Sequence, residues 1–366
     1  MSRLIIDARN SGTTTGRYTD KLVEYLYKLQ PDFEVLVLTK THRLEFLDSV
    51  APNFKIVQSN WRLSGFGEQL GLQRQLKRLG PDLVHFTMPQ QPVLYKGKKV
   101  TTIHDLITTR FDNPLRNPVI FRPQRQVYRR LIKRVANSSE RIIVPSKYVK
   151  DDVSRFAGVN PDKIKVIYEA ADKIIDQPQP LPRLAGKEFI MYVGRAMPHK
   201  NLRRLVDAYA ALRKARPELM LVLAGKNDAS YHRLGAYVTH MRLAHSVVFT
   251  GYITEGELRW LYENTAAYVF PSLSEGFGLP GLEAMAHGAP VVSSNATCLP
   301  EIYREAAEYF NPKSTREMAQ AIYNVISSPR RAKQLQWAAG AQVRRFSWRH
   351  MAEQTLKIYE EVLKNS

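Results

Sequence analysis

Short continuous apolar runs alternate with amphipathic stretches along this 366-residue chain. In the first half Leu4–Ala8, Val35–Thr39, Lys55–Gln58, Leu83–Phe86, Val100–His104, Arg141–Pro145 and Ile164–Tyr168 read as strands. Most are apolar throughout rather than alternating, the pattern of parallel strands covered on both faces. Helical periodicities fall between them, as in Arg17–Leu29, where Tyr18, Leu22, Tyr25, Leu26 and Leu29 share one stripe. The rhythm breaks at 176–186, Asp-Gln-Pro-Gln-Pro-Leu-Pro-Arg-Leu-Ala-Gly. Prolines at alternate positions there favour an extended spacer and forbid a regular helix. The pattern restarts with Phe189–Val193, Met220–Ala224, Val247–Thr250, Tyr268–Pro271 and Val291–Ser293, and a helix over Trp348–Lys364 closes the chain. Two successive β-α series predict an α/β protein of two Rossmann-like, doubly wound domains. The expected division is 1–180, a linker at 181–187, a second domain at 188–345, and a terminal helix at 346–366 packing back on the first domain.

Composition narrows the class without naming it. Hydrophobic residues make up 44% and charged residues 24%, the balance of a chain that buries a sizeable core. The start, Met-Ser-Arg-Leu-Ile-Ile-Asp, is too short in apolar residues for a signal peptide, and no apolar run approaches the ~18 residues of a membrane span. The single cysteine, Cys298, argues for no disulfide and reads as a small filler. These features lead to a cytoplasmic expectation, with no zinc site and no cofactor. The net charge of +20 points to acidic partners, and 31 of the 54 Lys and Arg but only 18 of the 34 Asp and Glu lie in residues 1–185. The densest stretch, Arg110–Arg155, carries Arg122, Arg125, Arg129, Arg130, Lys133 and Arg134 among apolar residues. It reads either as a solvated helix face or as a surface toward an anionic membrane, so peripheral attachment to the inner membrane face enters as an expectation.

The most informative segment is Val269-Phe-Pro-Ser-Leu-Ser-Glu-Gly-Phe-Gly-Leu-Pro-Gly-Leu-Glu-Ala-Met-Ala-His-Gly288. A strand is expected to end near Ser272, and a helix to begin near Pro280, since proline suits a first turn whose amide needs no partner. Backbone amides at Gly278 and Leu279 would then face an anion with the helix dipole behind them. Glu283, placed in the first helical turn, can accept from two ribose hydroxyls, and Glu275 on the loop can hold hydroxyls of a sugar beyond the phosphates. Earlier, Tyr192-Val-Gly-Arg-Ala-Met-Pro-His-Lys-Asn201 puts Arg195 and Lys200 at the carboxyl end of a strand, where ligands of open α/β sheets bind. Two cations there would stabilise a departing diphosphate more as its charge grows.

These segments, with Leu223-Ala-Gly-Lys226, Val248-Phe-Thr-Gly-Tyr252, Cys298-Leu-Pro-Glu-Ile302 and Tyr309-Phe-Asn-Pro312, resemble the retaining GT-B-fold glycosyltransferases of family 4. The match is strong over about 188–312 and weaker through the first half. The resemblance implies two Rossmann-like domains facing across a cleft, the second holding a nucleotide-diphosphate sugar. It implies that Arg195 and Lys200 bind the diphosphate, Glu283 the ribose and Glu275 the transferred sugar. Tyr252 and Ile253 would lie beside the base, with backbone contacts from Gly278 and Leu279. In the first half Thr101-Thr-Ile-His104-Asp105-Leu106 ends a strand with a polar pair. The family signature places His104 in the cleft, near the transferred sugar or the acceptor, with Asp105 orienting it. Asp105 otherwise caps the following turn. Gly16, in Gly12-Thr-Thr-Thr-Gly-Arg-Tyr18, stands where the family's glycine-rich loop approaches phosphates or acceptor, although threonines replace a common second glycine. A further departure is Tyr168-Glu-Ala-Ala-Asp172, where relatives often have Asn-Gly before the Asp.

The expected chemistry is transfer of a hexose, mannose-like by preference, to a hydroxyl of a glycan or lipid-linked acceptor, with retention at the anomeric carbon. No Asp-x-Asp motif occurs, so the two cations are expected to take a metal's place. The rivals are a nucleotide-sugar epimerase of similar fold and a basic nucleic-acid-binding protein. Without a helix-turn-helix, RNP or KH pattern, no nucleic-acid partner is expected.

Overall fold

The computed structural model describes residues 1–63, 65, 67–113 and 115–364. The chain forms two compact units: Met1–Thr109 with Gln124–Glu169 and Ser347–Ser366, and Arg110–Pro123 with Ala170–Phe346.

In chain order the first half runs β1 (Arg3–Asp7), α1 (Gly16–Leu29), β2 (Glu34–Thr39), α2 (Leu44–Val50), β3 (Lys55–Gln58), α3 (Gln73–Leu79), β4 (Leu83–Phe86), β5 (Lys99–Thr102), α4 (Pro118–Ser138), β6 (Arg141–Val144), α5 (Lys147–Ala157) and β7 (Ile164–Val166). The second half runs β8 (Phe189–Val193), α6 (Leu202–Leu212), β9 (Met220–Ala224), α7 (Ala229–His240), β10 (Val247–Gly251), α8 (Glu255–Asn264), β11 (Ala267–Phe270), α9 (Leu279–Ala286), β12 (Val291–Ser294), α10 (Leu299–Tyr303), β13 (Ala307–Phe310), α11 (Thr315–Ile326), α12 (Pro329–Val343) and α13 (Trp348–Lys364).

All strand pairs are parallel. One sheet has the order β3-β2-β1-β4-β5-β6-β7 and the other β10-β9-β8-β11-β12-β13. Each is doubly wound: the order reverses beside its first strand, β1/β4 in one and β8/β11 in the other, which opens a crevice at the carboxyl ends there. The continuous apolar runs are explained by burial on both faces, as at Leu83–Phe86 and Ala267–Phe270, whose residues are all buried.

Each expected strand exists, with ends that coincide or shift by at most two residues. β5 stops at Thr102, so His104 lies beyond it rather than on it. β13 was not among the expected strands. It is an edge strand with only its end residues buried, and an edge with half-exposed Glu308 and Tyr309 lacks the apolar run that marks inner strands.

Residues 176–186 form no helix beyond the single 3₁₀ turn Pro182–Leu184. They are pinned rather than loose: the Gln179 amide donates to the Gly256 carbonyl at 3.0 Å, and Arg259 donates to the Asp176 carbonyl at 2.9 Å. α13 belongs to the first unit, where Tyr359 bonds to the buried His85 of β4 and Arg141 pairs with Glu361. Among the described residues no helix is long and apolar enough to cross a membrane.

Candidate active site

At the β8/β11 switch point of the second sheet, two loops leave neighbouring strand ends: 194–201 after β8 and 271–278 after β11. They are stitched together. The Leu273 amide donates to the His199 carbonyl at 2.7 Å. Asn201, in the left-handed region at φ 61°, donates through Nδ2 to the carbonyls of Pro271 (3.0 Å) and Pro312 (2.8 Å). Lys200 Nζ donates to Glu275 Oε1 at 2.6 Å and lies 5.3 Å from the centroid of the Phe270 ring. The pair is mostly enclosed, with side chains 18% and 10% exposed, so its attraction is less screened than a surface pair's. Beside it, burial and then the Lys200 charge push the His199 imidazole down to about 4. At neutral pH His199 therefore adds no positive charge beside Lys200.

The Glu275 backbone is anchored too. Its amide donates to Thr297 Oγ1 at 3.1 Å, and Cys298 Sγ donates to its carbonyl at 3.3 Å. Burial, then the Glu275 charge, raises the Cys298 thiol well above its ordinary value, which fits a filler rather than a nucleophile. Gly278 caps α9 at φ 98°, and a Cβ there would lie 2.5 Å from Tyr303 Oη, whose hydroxyl donates to the Gly278 carbonyl. Only glycine meets both demands. At the start of α9 Pro280 has no N–H and the Gly281 amide donates to the Gly278 carbonyl at 3.2 Å, so the Leu279 amide is the one that a helix end of this kind offers to an anion. The helix begins at Leu279, so Glu283 sits in its second turn and not in the first as expected. The helix dipole fades within one turn, so it does little for Glu283.

Arg195 is held differently. Its side chain is 56% exposed and reaches Asp228 at 3.3 Å, the residue whose carboxylate also caps α7 through the Ser230 and Tyr231 amides. Tyr252, just past β10, is 88% exposed, and Ile253 is half-buried. The fold thus joins Lys200 directly to Glu275, with Gly278 at the end of the Glu275 loop and Leu279 at the start of α9. Arg195 and Tyr252 stand at the ends of β8 and β10 with their side chains largely in solvent.

In the first unit His104 Nδ1 donates to Glu169 Oε1 at 3.0 Å and Nε2 lies 3.2 Å from the Thr87 carbonyl, while the Tyr18 ring meets the imidazole edge-on at 4.9 Å. Burial alone would lower the His104 value, but the Glu169 bond and charge, Asp105 and the Thr87 carbonyl outweigh it and raise it. Asp105 Oδ1 accepts from the Ile107 amide at 2.8 Å, the turn-capping role. Gly16 opens α1, and a Cβ there would fall 2.1 Å from the Asn10 carbonyl. Its glycine is demanded by the loop folding against itself. Nearby, fully buried Arg9 pairs with Asp7 (2.6 Å) and Glu68 (2.9 Å) at the end of β1.

Sequence reasoning missed Glu169, Asn201 and the Arg9 cluster. For Glu169 a signal existed: it is the acid in the segment that departs from the family's Asn-Gly.

Two doubly wound parallel sheets, one bearing a lysine–glutamate pair against a glycine-capped helix start, define a GT-B glycosyltransferase. A family profile described as Glycosyl transferases group 1 matches residues 173–342, and one described as Glycosyltransferase Family 4 matches residues 15–173. The chain belongs to the group 1 glycosyltransferases of family 4 type. It is 26% identical over 339 residues to the O-antigen chain mannosyltransferase RfbU of Salmonella typhimurium, covering 87% of this chain and 89% of that one. Among solved structures it resembles a sucrose-phosphate synthase from Thermosynechococcus elongatus, with TM-score 0.80, 19% identity and all of both chains covered. It also resembles Anabaena HepE in complex with UDP-glucose, with TM-score 0.74, 17% identity, and 99% and 100% of the chains covered.

Proposed function

We propose that this glycosyltransferase moves a hexose, with mannose the favoured sugar, from a nucleotide-diphosphate sugar to a hydroxyl of a glycan or lipid-linked acceptor, with retention and without a metal ion. The observation that carries the reading is the Lys200–Glu275 pair at 2.6 Å on the switch-point loops. A cation for the diphosphate and a carboxylate for the sugar hydroxyls stand side by side, as a donor that joins both groups requires. In this reading Arg195 swings from Asp228 to the diphosphate, the Gly278 and Leu279 amides face the phosphates, Glu283 takes the ribose, and Tyr252 and Ile253 flank the base. His104 lies at the transferred sugar or acceptor.

Mannose is favoured because the RfbU relative carries that activity in its name. Retention follows from the family's stereochemistry: the leaving diphosphate oxygen takes the acceptor's proton on the same face, with no dedicated protein base. Metal independence rests on two cations in place of the carboxylate pair that usually holds a divalent ion. α4 supports peripheral membrane contact, since Val127, Arg130 and Arg134 share one exposed stripe with Lys133 beside it.

The test is an assay of purified protein with GDP-mannose and UDP-glucose and a panel of hydroxyl acceptors, in EDTA, with the product anomer read by NMR. Transfer in EDTA with the donor's anomeric configuration kept is the expected result. An inverted product, strict Mn²⁺ dependence, or donor consumption without a transfer product contradicts the proposal.

A further inference from the structure

A neutral imidazole has one N–H donor and one bare nitrogen that accepts. His104 faces an oxygen acceptor on each side: Glu169 Oε1 at 3.0 Å from Nδ1 and the Thr87 carbonyl at 3.2 Å from Nε2. A carbonyl can only accept, so Nε2 carries a proton. The other proton lies between imidazole and carboxylate, and an ordinary imidazole, near about 6.5, holds it more tightly than a glutamate, near about 4.3. The remaining neighbours agree. Asp105 adds negative charge from the same loop, and the Tyr18 ring on α1 packs against the imidazole in a T-shaped contact at 4.9 Å. His85 on β4 is fully buried and stays neutral, with a value near 3 set first by burial and then by His104, so it opposes the charge little. The His104 and Glu169 side chains are 13% and 7% exposed, so solvent screens their pairing weakly.

We infer that Glu169 is a positioning residue that holds His104 doubly protonated, so that His104 meets the substrate as a hydrogen-bond donor and not as the base that takes the acceptor's proton. This rests on the reading of His104 as a substrate-facing residue. The longer of its two bonds, to Thr87, is the one Nε2–H exchanges for a substrate oxygen, while Glu169 keeps the ring's orientation and charge.

The experiment is an NMR titration of the full-length protein with labelled histidine, His104 being assigned from the spectrum of His104→Gln. No donor or acceptor is added, so the result is independent of whether transfer chemistry is read correctly. His104 of the wild type titrates above about 6.5. Glu169→Gln lowers its proton affinity at least tenfold, and Glu169→Asp recovers part of the loss. In the transfer assay, wild-type kcat/KM falls as pH rises through the His104 value, and Glu169→Gln moves that limb to lower pH. A wild-type His104 that titrates at or below 6.5 overturns the inference, as does a Glu169→Gln protein with His104 unmoved. Should Glu169→Gln fail to fold, the wild-type and Glu169→Asp titrations decide the same point. Full kcat in His104→Ala, with wild-type His104 charged as stated, overturns the donor role and the substrate-facing reading beneath it.

Discussion

The carboxyl edges of the two sheets are built on one topological plan but treat charge in different ways. In the first unit the two titratable side chains at the edge are largely enclosed and each is held between two partners: Arg9 between Asp7 and Glu68, His104 between Glu169 and Thr87. In the second, Lys200 has Glu275, and Arg195 has one distant bond to Asp228 from a side chain 56% exposed. A buried, over-determined charge is costly to move and fixes geometry. A loosely held arginine keeps conformational freedom and can re-pair with an arriving anion. The first edge is thus suited to presenting a fixed surface, and the second to gripping something that comes and goes.

The sharpest way to break the comparison is to remove a charge from the rigid side. Arg9→Ala removes the cation paired with buried Asp7 and Glu68, which should cost about 3–5 kcal/mol of stability. Denaturant unfolding reads this directly, and a loss below 1 kcal/mol would mean that the cluster is not the anchor described. On the second edge the effect should appear in turnover instead. Lys200→Ala should lower kcat/KM by about 10²–10³-fold, the equivalent of about 2.7–4 kcal/mol, with a small change in melting temperature.

Acid titration distinguishes the buried histidines. His85 has a folded value near 3, against about 6.5 when unfolded. Below pH 6.5 the unfolded chain takes up a proton that the fold refuses, so its contribution is lost as pH falls from 6.5 toward 3. By pH 5 that amounts to about 2 kcal/mol. His104, raised when folded, has the opposite sign: its contribution is present below the unfolded value and is lost as pH rises through the folded one. His85→Gln should therefore flatten the acid limb of stability against pH, and an unchanged limb would refute the assignment. The smallest effect is expected at Arg195. Its alanine variant should lose about tenfold in kcat/KM, or roughly 1.4 kcal/mol, because the free enzyme holds it weakly and part of any gain goes to ordering it. A loss equal to that of Lys200→Ala would erase the contrast between the two cations.

Much of this organisation was legible before any coordinates. Leu83–Phe86 and Phe189–Val193 are apolar because both faces are covered, and that signature needs no tertiary information. The Glu275–Gly278–Leu279 loop was readable because a Gly-Pro punctuated helix start must be local in sequence. What was hidden is long-range. Glu169 reaches His104 across 65 positions, Arg9 reaches Glu68 across 59, and Asn201 ties carbonyls 70 and 111 residues away. No periodicity encodes such pairs; the sheet order creates them. Glu283 falls just past the first turn because the helix starts at Leu279, one residue before the proline that marked the expected start. At Gly16 the local demand was hidden: a Cβ there would fall 2.1 Å from the Asn10 carbonyl of the same loop.

The central claim is that Lys200, set against Glu275, receives the donor's diphosphate. Calorimetric titration of GDP and UDP into the wild type and Lys200→Ala tests it with no acceptor and no turnover. The account predicts that one of the two nucleotides binds the wild type and that its affinity falls about 100-fold in the variant, or about 2.7 kcal/mol. Equal affinity in the two proteins would contradict it.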